Sequence, residues 1–430
     1  MGSNGPTTAS STNSDRWISN EPMGSNNGKR RTHESVCSAL AIAHAISMRR
    51  RGEPGPRPAV ALPNFSSGYG VLGPFWVQPQ PAGEVWGMEM ASSSSPPPRV
   101  CVTGGGGFIA SWLVKLLLSR GYAVHATLRD PSDPKNAHLK ELEKAPENLH
   151  LFKADVLDYD ALTHAVEGCE GVFHLATPVP EDKIVDPEAE VLKTAVKGTV
   201  NVLKICSAAK IQKLVVMSSN AAVDFNPNWP DDRLKDESCW SDIEFCKENG
   251  DWYSVAKIMA EQAALEYADK NGLDVVTLCP PLVFGPLLQP TVNTSSKFLI
   301  YVIKGGLDAV SNKLWHIVDV RDVADALLLL YEKKESSGRY ICSPNHVFMK
   351  DLVDLLKKMY PKYNYVNNIL DVDPKASLTC QKLMDLGWKP RTLEDTLADS
   401  IVYYEQAGLL QDVDGHPFRL PHLFRLAGDQ

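Results

Sequence analysis

The chain has 430 residues, of which 43% are hydrophobic and 22% are charged, and its formal net charge is -8. This length allows two domains or one large domain with a tail. The acidic balance offers no basic surface to nucleic acid or to an anionic membrane, so we expect neither partner. The nine cysteines include no C-x-x-C pair and no Cys/His cluster at metal-ligand spacing, which predicts no metal site. No apolar run approaches the roughly 18 to 20 residues that cross a bilayer.

Residues 1–97 differ in composition from the rest of the chain. They are rich in Ser, Gly, Asn and Pro and show no alternation of strands and helices. An Ala-rich segment at 36–48 lies between arginine clusters, as in a transit peptide, and Met88 and Met90 stand where a shorter chain could start. We predict a disordered, targeting or upstream N-terminal extension over 1–97. The expected location is cytoplasmic, or plastid if the extension is a transit peptide.

Beyond residue 98, short apolar runs alternate with helical repeats, as in a parallel sheet joined by crossover helices. The predicted strands are 100–103, 123–128, 149–153, 171–175, 213–217, 274–279, 316–320 and 339–341, and helices begin near Phe108, Asp160, Asp186 and Asp251. The pattern predicts an α/β fold, a Rossmann-type doubly wound parallel sheet with a smaller C-terminal substrate-binding region. We place the dinucleotide-binding domain at 98–279 and the mainly substrate-binding region at 280–430, with segments near 315–345 returning to the first domain.

The first predicted strand runs into the glycine-rich segment TGGGGFIA at 103–110. Gly105, Gly107 and Ala110 match the G-x-G-x-x-G/A fingerprint, in the strand-to-helix context that gives this fingerprint meaning. Glycines let the backbone approach a pyrophosphate, and the N-terminus of the following helix contributes unpaired N–H groups and partial positive charge. The segment therefore predicts a dinucleotide site. Its expected contacts are Gly104, Gly107, Phe108 and Ile109.

The end of the second predicted strand indicates which nicotinamide dinucleotide is bound. Enzymes that use NAD usually place an acid here, about 20 residues beyond the fingerprint, to bind the ribose 2′-OH. This chain has Arg129, which suits the 2′-phosphate of NADP, and Lys135 is a second candidate cation. We predict NADP(H), with Asp130 as the alternative ribose ligand. After the third strand, Asp155 and Val156 are predicted to meet the adenine, and Asp155 is equally suited to capping its own turn.

Tyr253 and Lys257 stand four residues apart on a predicted helix, so their side chains share one face. A tyrosine with a pKa of about 10 is a poor acid at neutral pH, and we expect the lysine ammonium to lower that pKa. The strand at 213–217 ends in Ser218 and Ser219, where a hydroxyl can donate to a substrate carbonyl oxygen. We predict a catalytic triad of Ser219, Tyr253 and Lys257, and choose Ser219 over Ser218.

These motifs resemble the extended short-chain dehydrogenase/reductases of plants, most closely the cinnamoyl-CoA reductase and dihydroflavonol reductase group. The resemblance covers about 98–425 and is carried by the triad, by Arg129 and by the segments TGGGGFIAS, HLATPV at 174–179, CWSDIEFCK at 239–247 and PLLQPTVN at 286–293. It implies hydride transfer from NADPH to a carbonyl, with Tyr253 as the acid, Lys257 on the nicotinamide ribose and Ser219 polarising the carbonyl. It also places further residues along the cofactor: Ala176, Thr177, Pro280 and Val283.

The chain departs from this family at two places. It reads DWYSVAK at 251–257 where cinnamoyl-CoA reductases carry NWYCYGK, and it has Phe298 and Tyr301 where the family often has a histidine and a lysine. Both aromatic residues suit either a phenolic ring or the protein core. We therefore expect a small aromatic carbonyl substrate, whose identity the sequence leaves open, and a monomer or a homodimer.

Two other functions are compatible with the predicted fold, because fold alone does not determine function. One is an NAD(P)-dependent nucleotide-sugar epimerase or dehydratase, which Arg129 disfavours. The other is a catalytically silent NADP-binding regulatory protein, which has no use for a proton donor such as Tyr253. An NADP-dependent oxidoreductase acting on aldehyde or oxo groups is the preferred interpretation.

Overall fold

The computed structural model describes residues 96–177, 186, 188–373, 375–411 and 418–425. The predictions for residues 1–95 lie outside the described residues. In chain order the strands are β1 (Arg99–Thr103), β2 (Ala123–Leu128), β3 (Leu149–Lys153), β4 (Gly171–His174), β5 (Lys213–Met217), β6 (Val275–Cys279), β7 (Leu282–Phe284), β8 (Val310–Asn312), β9 (Leu314–Asp319), β10 (Gly338–Ile341), β11 (Asn345–Phe348) and β12 (Ile369–Asp371).

The helices connect these strands and cover the faces of the sheet. They are α1 (Phe108–Ser119), α2 (Ala145–Asn148), α3 (Tyr159–Val166), α4 (Thr194–Ala208), α5 (Ile243–Glu248), α6 (Trp252–Asn271), α7 (Thr294–Lys304), α8 (Val320–Glu332), α9 (Met349–Met359), α10 (Gln381–Asp385) and α11 (Leu393–Gln406). Three short 3-10 turns occur at Pro134–Leu139, Asn220–Ala222 and His422–Phe424, and Glu188–Lys193 is π-helical.

Seven parallel strands form the main sheet, in the order β10-β6-β5-β4-β1-β2-β3. Strands β1, β2, β4, β5 and β6 are buried along nearly their whole length, as expected where helices cover both faces of a parallel sheet. Val100 and Val102 of β1 pack into the cluster that contains α1 and α8, whereas Cys101 packs with α3 and α4. The predicted α/β Rossmann-type sheet is confirmed.

The six strands predicted between residues 100 and 279 are all present, each within one residue of its expected ends. The predicted strand 339–341 corresponds to β10, which pairs with β6 in the main sheet. In contrast, the predicted strand 316–320 corresponds to β9, which lies in a separate sheet of order β11-β9-β7. Near Asp186, the π-helical turn precedes α4, which itself begins at Thr194. The division of the chain at residue 280 stays a prediction.

The parallel register brings the ends of three strands together. Thr103 of β1 pairs with His174 of β4, and His174 pairs with Val216 of β5. The Thr103 hydroxyl lies 2.8 Å from His174 Nδ1 and accepts hydrogen bonds from the backbone N–H groups of Leu175 and Ala176. The segments that follow β1, β4 and β5 therefore open at one edge of the sheet, where doubly wound folds bind ligands.

The chain beyond β6 adds the β11-β9-β7 sheet and a two-stranded sheet of β12 and β8. Phe298 and Tyr301 on α7 are both fully buried there. The Phe298 ring packs against Trp315 and Phe424, at centroid distances of 4.6 and 4.8 Å, and the Tyr301 hydroxyl donates to the backbone oxygen of Asp308 at 2.7 Å. These contacts show that Phe298 and Tyr301 belong to the protein core, which was one of the two roles that the sequence allowed.

None of the helices in the described part of the chain is long and apolar enough to cross a membrane. In the same ranges, no three His, Cys, Asp or Glu side chains are grouped so that they would hold a metal ion. The cysteines described there are free thiols, and all but Cys380 are buried.

The packing of β4 against α8 leaves no room for a side chain at Gly171, and this can be tested. A Cβ at Gly171 would lie 2.1 Å from Cε2 of Tyr331, whose ring also packs on Phe173. We expect Gly171→Ala to lower the free energy of unfolding by about 1 to 3 kcal/mol, because the tyrosine ring must move within a filled core. Guanidinium denaturation measures this change.

The matched control is the same substitution in a Tyr331→Ala chain. There the glycine substitution should cost much less, because the ring that it meets is gone. An equal cost in both backgrounds would contradict the steric explanation.

Candidate active site

The turn after β1 is packed against two neighbouring strands. Gly104 has a φ of +69°, and a Cβ there would lie 3.0 Å from the Cα of Ala176, just beyond β4. A Cβ on Gly105 would lie 2.8 Å from the Cβ of Ala126 in β2. Only glycine adopts this φ readily, and only glycine has no Cβ to place in these gaps. The turn thus keeps its backbone open to a ligand while staying close to the sheet.

The N-terminus of α1 faces the same edge and has the features of an anion site. Gly107 is the N-cap residue and offers no side chain to the helix, and the first turn contains no acidic residue. The N–H of Ser111 bonds to the Gly107 oxygen, whereas those of Phe108 and Ile109 have no acceptor among the described residues. Free N–H groups at a helix N-terminus suit a phosphate. These residues fit the pyrophosphate of a dinucleotide.

Two cations were predicted at the end of β2 and in the loop that follows. Arg129 is exposed and makes no ion pair or hydrogen bond within the described ranges. Lys135 Nζ lies 2.7 Å from the carboxylate of Asp133 in a solvent-exposed ion pair, and binding of the cofactor by Lys135 stays a prediction. Asp130 accepts hydrogen bonds from the backbone N–H and the hydroxyl of Ser132, at 2.9 and 2.6 Å. The Asp130 carboxylate therefore stabilises the turn in which it lies.

The end of β3 lies where the adenine was expected. One Asp155 oxygen accepts a hydrogen bond from the Leu157 N–H at 2.9 Å, so this carboxylate caps its turn. The Asn201 amide donates to the Val156 oxygen at 3.1 Å, and Gly198 leaves room for the Val156 side chain. Asn201 and Gly198 on α4 thereby hold the backbone of this loop in place. Adenine binding by Asp155 and Val156 stays a prediction.

Helix α6 supplies two of the predicted catalytic residues. Asp251 caps its N-terminus, with an oxygen that accepts from the Ser254 N–H at 3.0 Å. Lys257 Nζ lies 6.0 Å from the centroid of the Tyr253 ring. The same ammonium donates to Thr177 Oγ1 at 3.1 Å and to the Met217 backbone oxygen at 3.2 Å. The lysine is thus fixed between the ends of β4 and β5, beside the tyrosine.

The two serines after β5 have different partners. The Ser218 hydroxyl donates to Glu261 Oε2 at 2.7 Å, inside the protein. The Ser219 hydroxyl accepts from the Ala221 N–H at 3.2 Å and lies close enough to Tyr253 to stabilise its ionised form. This geometry favours Ser219 as the hydroxyl that acts with Tyr253, and it gives Ser218 a different task.

The pKa values of the pair differ from the expectation. Burial raises the pKa of Tyr253, Asp251 adds to the rise, and only Ser219 opposes it. The expected lowering by Lys257 is wrong for this structure, because desolvation dominates and the ammonium is directed at other partners. Burial lowers the pKa of Lys257 to about 8, although Glu261 acts in the opposite direction. Ionisation of both groups is therefore controlled by their removal from water.

Two further predicted cofactor residues lie near this edge. The Pro280 backbone oxygen accepts from the Asn220 N–H at 2.9 Å, which joins the end of β6 to the turn that carries Ser219. Val283 is buried in β7. Sequence reasoning missed Glu261 and Arg339, which form a buried ion pair behind the serines. The spacing of four residues from Lys257 to Glu261 on one helix was the signal available for Glu261.

The model of the NAD dependent epimerase/dehydratase family matches residues 100–342. The chain belongs to this family. The family is described as NAD dependent, and the glycine turn and the N-terminus of α1, which has no side-chain cap, are suited to such a dinucleotide.

Several proteins that are similar to this chain are named as reductases. Cinnamoyl-CoA reductase 1 of Petunia hybrida is 45% identical over 315 residues, which are 72% of this chain and 93% of that protein. The crystal structure of vestitone reductase from alfalfa (Medicago sativa L.) aligns with a TM-score of 0.63 at 35% identity, covering 72% of this chain and 99% of that one. Yeast methylglyoxal/isovaleraldehyde reductase Gre2, solved with NADPH, aligns with a TM-score of 0.61 at 28% identity, covering 72% and 99%.

The chain is therefore an extended short-chain dehydrogenase/reductase of the cinnamoyl-CoA reductase-like group, as its motifs predicted. It is an oxidoreductase that acts on aldehyde or oxo groups of a small molecule, and the predicted nicotinamide cofactor is confirmed.

The different partners of the two serines predict different effects of their removal. We expect Ser219→Ala to lower the kcat/KM for carbonyl reduction by about 10²- to 10³-fold, because a donor to the reacting oxygen is lost. Ser218→Ala, the matched control, should lower it only a few-fold. Steady-state kinetics of both variants measures this difference. A larger loss in the Ser218 variant would assign the catalytic hydroxyl to Ser218 instead.

Proposed function

We propose that this chain is an NADPH-dependent reductase of a phenylpropanoid-type carbonyl, namely a cinnamoyl-CoA thioester, an aromatic aldehyde or a flavonoid ketone. The observation that carries the proposal is the meeting of Ser219, Tyr253 and Lys257 at one edge of the sheet, next to a turn suited to a dinucleotide. A proton donor beside a hydride source is what carbonyl reduction requires. The relatives named for cinnamoyl-CoA and vestitone support an aromatic substrate.

In this proposal the residues of the site have defined roles. Bound NADPH supplies the hydride. Tyr253 donates the proton to the oxygen of the reacting carbonyl, while the Ser219 hydroxyl donates a hydrogen bond to that oxygen and orients it. Lys257 holds the ribose hydroxyls and places positive charge beside Tyr253 as the proton leaves. The backbone of Gly104, Gly105 and the first turn of α1 binds the pyrophosphate.

The proposed choice of NADPH over NADH depends on Arg129. Its exposed guanidinium stands at the end of β2 without an ion-pair partner in the described ranges, while Asp130 bonds to Ser132. A guanidinium binds a phosphate through two parallel hydrogen bonds, which NADH cannot make. The NADPH complex of the Gre2 relative supports this choice.

A substrate panel tests the function. We expect NADPH oxidation with at least one of three classes, namely cinnamoyl-CoA thioesters, aromatic aldehydes and dihydroflavonols, and none with a UDP-sugar. Tyr253→Phe, the matched control, should lower kcat/KM by about 10²- to 10⁴-fold and leave the Kd for NADPH nearly unchanged, because only the acid is removed. Turnover of the UDP-sugar alone would favour an epimerase or dehydratase. No turnover, with tight NADPH binding, would favour a silent binding protein.

Cofactor preference gives a second test. Arg129→Ala should reduce the ratio of kcat/KM values for NADPH and NADH by roughly tenfold to a hundredfold, because the 2′-phosphate loses its guanidinium. Lys135→Ala should change the ratio less, since Lys135 is half exposed to solvent and also pairs with Asp133. Kinetics with both cofactors measures the ratio. An unchanged ratio in the Arg129 variant would make Arg129 a surface charge.

A further inference from the structure

Glu261 is a fully buried carboxylate whose partners lie in β6, in β10 and directly after β5. Its side chain is 0% exposed, and it accepts hydrogen bonds from the hydroxyls of Ser218 at 2.7 Å and Thr277 at 2.6 Å. Arg339 of β10 donates to both of its oxygens, at 3.0 and 3.2 Å. The carboxylate therefore joins α6 to β6, to β10 and to the end of β5.

Arg339 extends these contacts to the segment that follows Ser219. Its guanidinium donates to the backbone oxygens of Ala222, at 2.7 Å, and of Cys239, and it stacks on the Trp240 ring at 3.7 Å. Ser219 is thus held from both sides, through Ser218 by Glu261 and through Ala222 by Arg339. Tyr253, the partner of Ser219, lies two turns before Glu261 on the same helix.

Stability alone is a weak explanation for this ion pair. Burying a carboxylate and a guanidinium costs desolvation that their attraction seldom exceeds, and an apolar pair of similar size often serves the fold as well. The position of the pair relative to Ser219, Tyr253 and Lys257 offers another explanation, since Glu261 and Lys257 share one face of α6. Both residues line a cavity of about 10 Å³, which is about the volume that a single water needs.

We propose that Glu261, paired with Arg339, is a positioning residue for the reduction: its carboxylate fixes the end of β5 against α6, so that Ser219 meets Tyr253, and it provides the negative charge that faces Lys257. This inference rests on the proposed function.

The charge on Glu261 affects the protonation of Lys257. Of the described groups that face Lys257, the His174 imidazole is neutral, since burial lowers its pKa to about 3, and the Cys279 thiol is neutral, since burial raises its pKa. Thr177 and Ser218 do not titrate in the working range, and burial keeps the pKa of Tyr253 above its usual value. Glu261 therefore keeps Lys257 protonated against the cost of burial, which lowers its pKa to about 8.

The sign of the pH effect follows from this arrangement. Lys257 is protonated below its pKa and loses its charge as the pH rises. Removing the Glu261 charge must lower the pKa of Lys257 further, so activity that depends on the ammonium is lost at a lower pH. We expect Glu261→Gln to shift the alkaline limb of the kcat/KM profile down by about one pH unit and to lower kcat/KM by about 10- to 100-fold.

Two matched variants separate charge from packing. Glu261→Asp keeps the charge on a shorter side chain, so it should restore the alkaline limb to within a few tenths of a pH unit while kcat stays reduced. Asp322→Asn removes another buried carboxylate bound to an arginine, Arg391, but on α8. That variant should have a lower melting temperature than the native chain, and its kcat/KM should depend on pH as in the native chain. An unshifted profile in Glu261→Gln, or an equal shift in Asp322→Asn, would overturn the inference.

A binding measurement keeps the test independent of turnover and of folding failure. The Kd for NADPH, titrated by fluorescence between about pH 6 and 10, should weaken at a lower pH in Glu261→Gln than in the native chain. If Glu261→Gln does not fold, the double variant with Arg339→Met removes both buried charges and should show a smaller shift in the same direction, because Arg339 is the more distant of the two charges; no shift there overturns the inference. A native chain that reduces none of the panel substrates contradicts the proposed function, whereas the binding shift still decides the role of Glu261.

Discussion

The common direction of β1, β4 and β5 is the constraint on which the site depends. Because the strands are parallel and in register from Thr103 to His174 to Val216, their three following segments open side by side. One carries the glycine turn, one carries Thr177 and one carries the serines. A side chain from α6 that reaches this edge meets more than one of them, and Lys257 contacts Thr177 after β4 and the Met217 oxygen at the end of β5.

Burial of charge on α6 is the cost of this arrangement. Tyr253, Lys257 and Glu261 recur every four residues along α6, and removal from water opposes ionisation of Tyr253 and of Lys257. The carboxylate offsets the penalty on the ammonium, and the guanidinium of Arg339 offsets that on the carboxylate. The charges alternate in sign from Lys257 to Arg339, so each one makes the next tolerable in a low-dielectric interior.

Much of the fold and of the candidate site could be predicted from local patterns. The strands of the main sheet are short apolar runs between turns, and the glycine turn follows one of them directly, so neither needed long-range information. The error in the expected pKa of Tyr253 has a physical cause. That pKa depends on burial, which a spacing of four residues does not show. The ion pair of Lys135 with Asp133 likewise becomes visible only in the folded loop.

Contacts between distant segments were also out of reach of the sequence. Glu261 and Arg339 are 78 residues apart in the chain and meet only because β10 joins the sheet beside β6. Likewise Phe298 is a core residue because Trp315 and Phe424 close over it. A single sequence shows the identity of each of these residues, but the packing decides what it contacts.

The uncapped first turn of α1 has a consequence for how long the protein survives in a cell. Its free N–H groups are satisfied by water until an anion binds. A ligand that binds only the folded chain stabilises it by about 2.7 kcal/mol at a concentration a hundred times its Kd. That gain is a large share of a typical stability of about 5 to 15 kcal/mol. Binding of the dinucleotide therefore stabilises the polypeptide itself, and we expect its resistance to proteolysis to rise with the dinucleotide concentration.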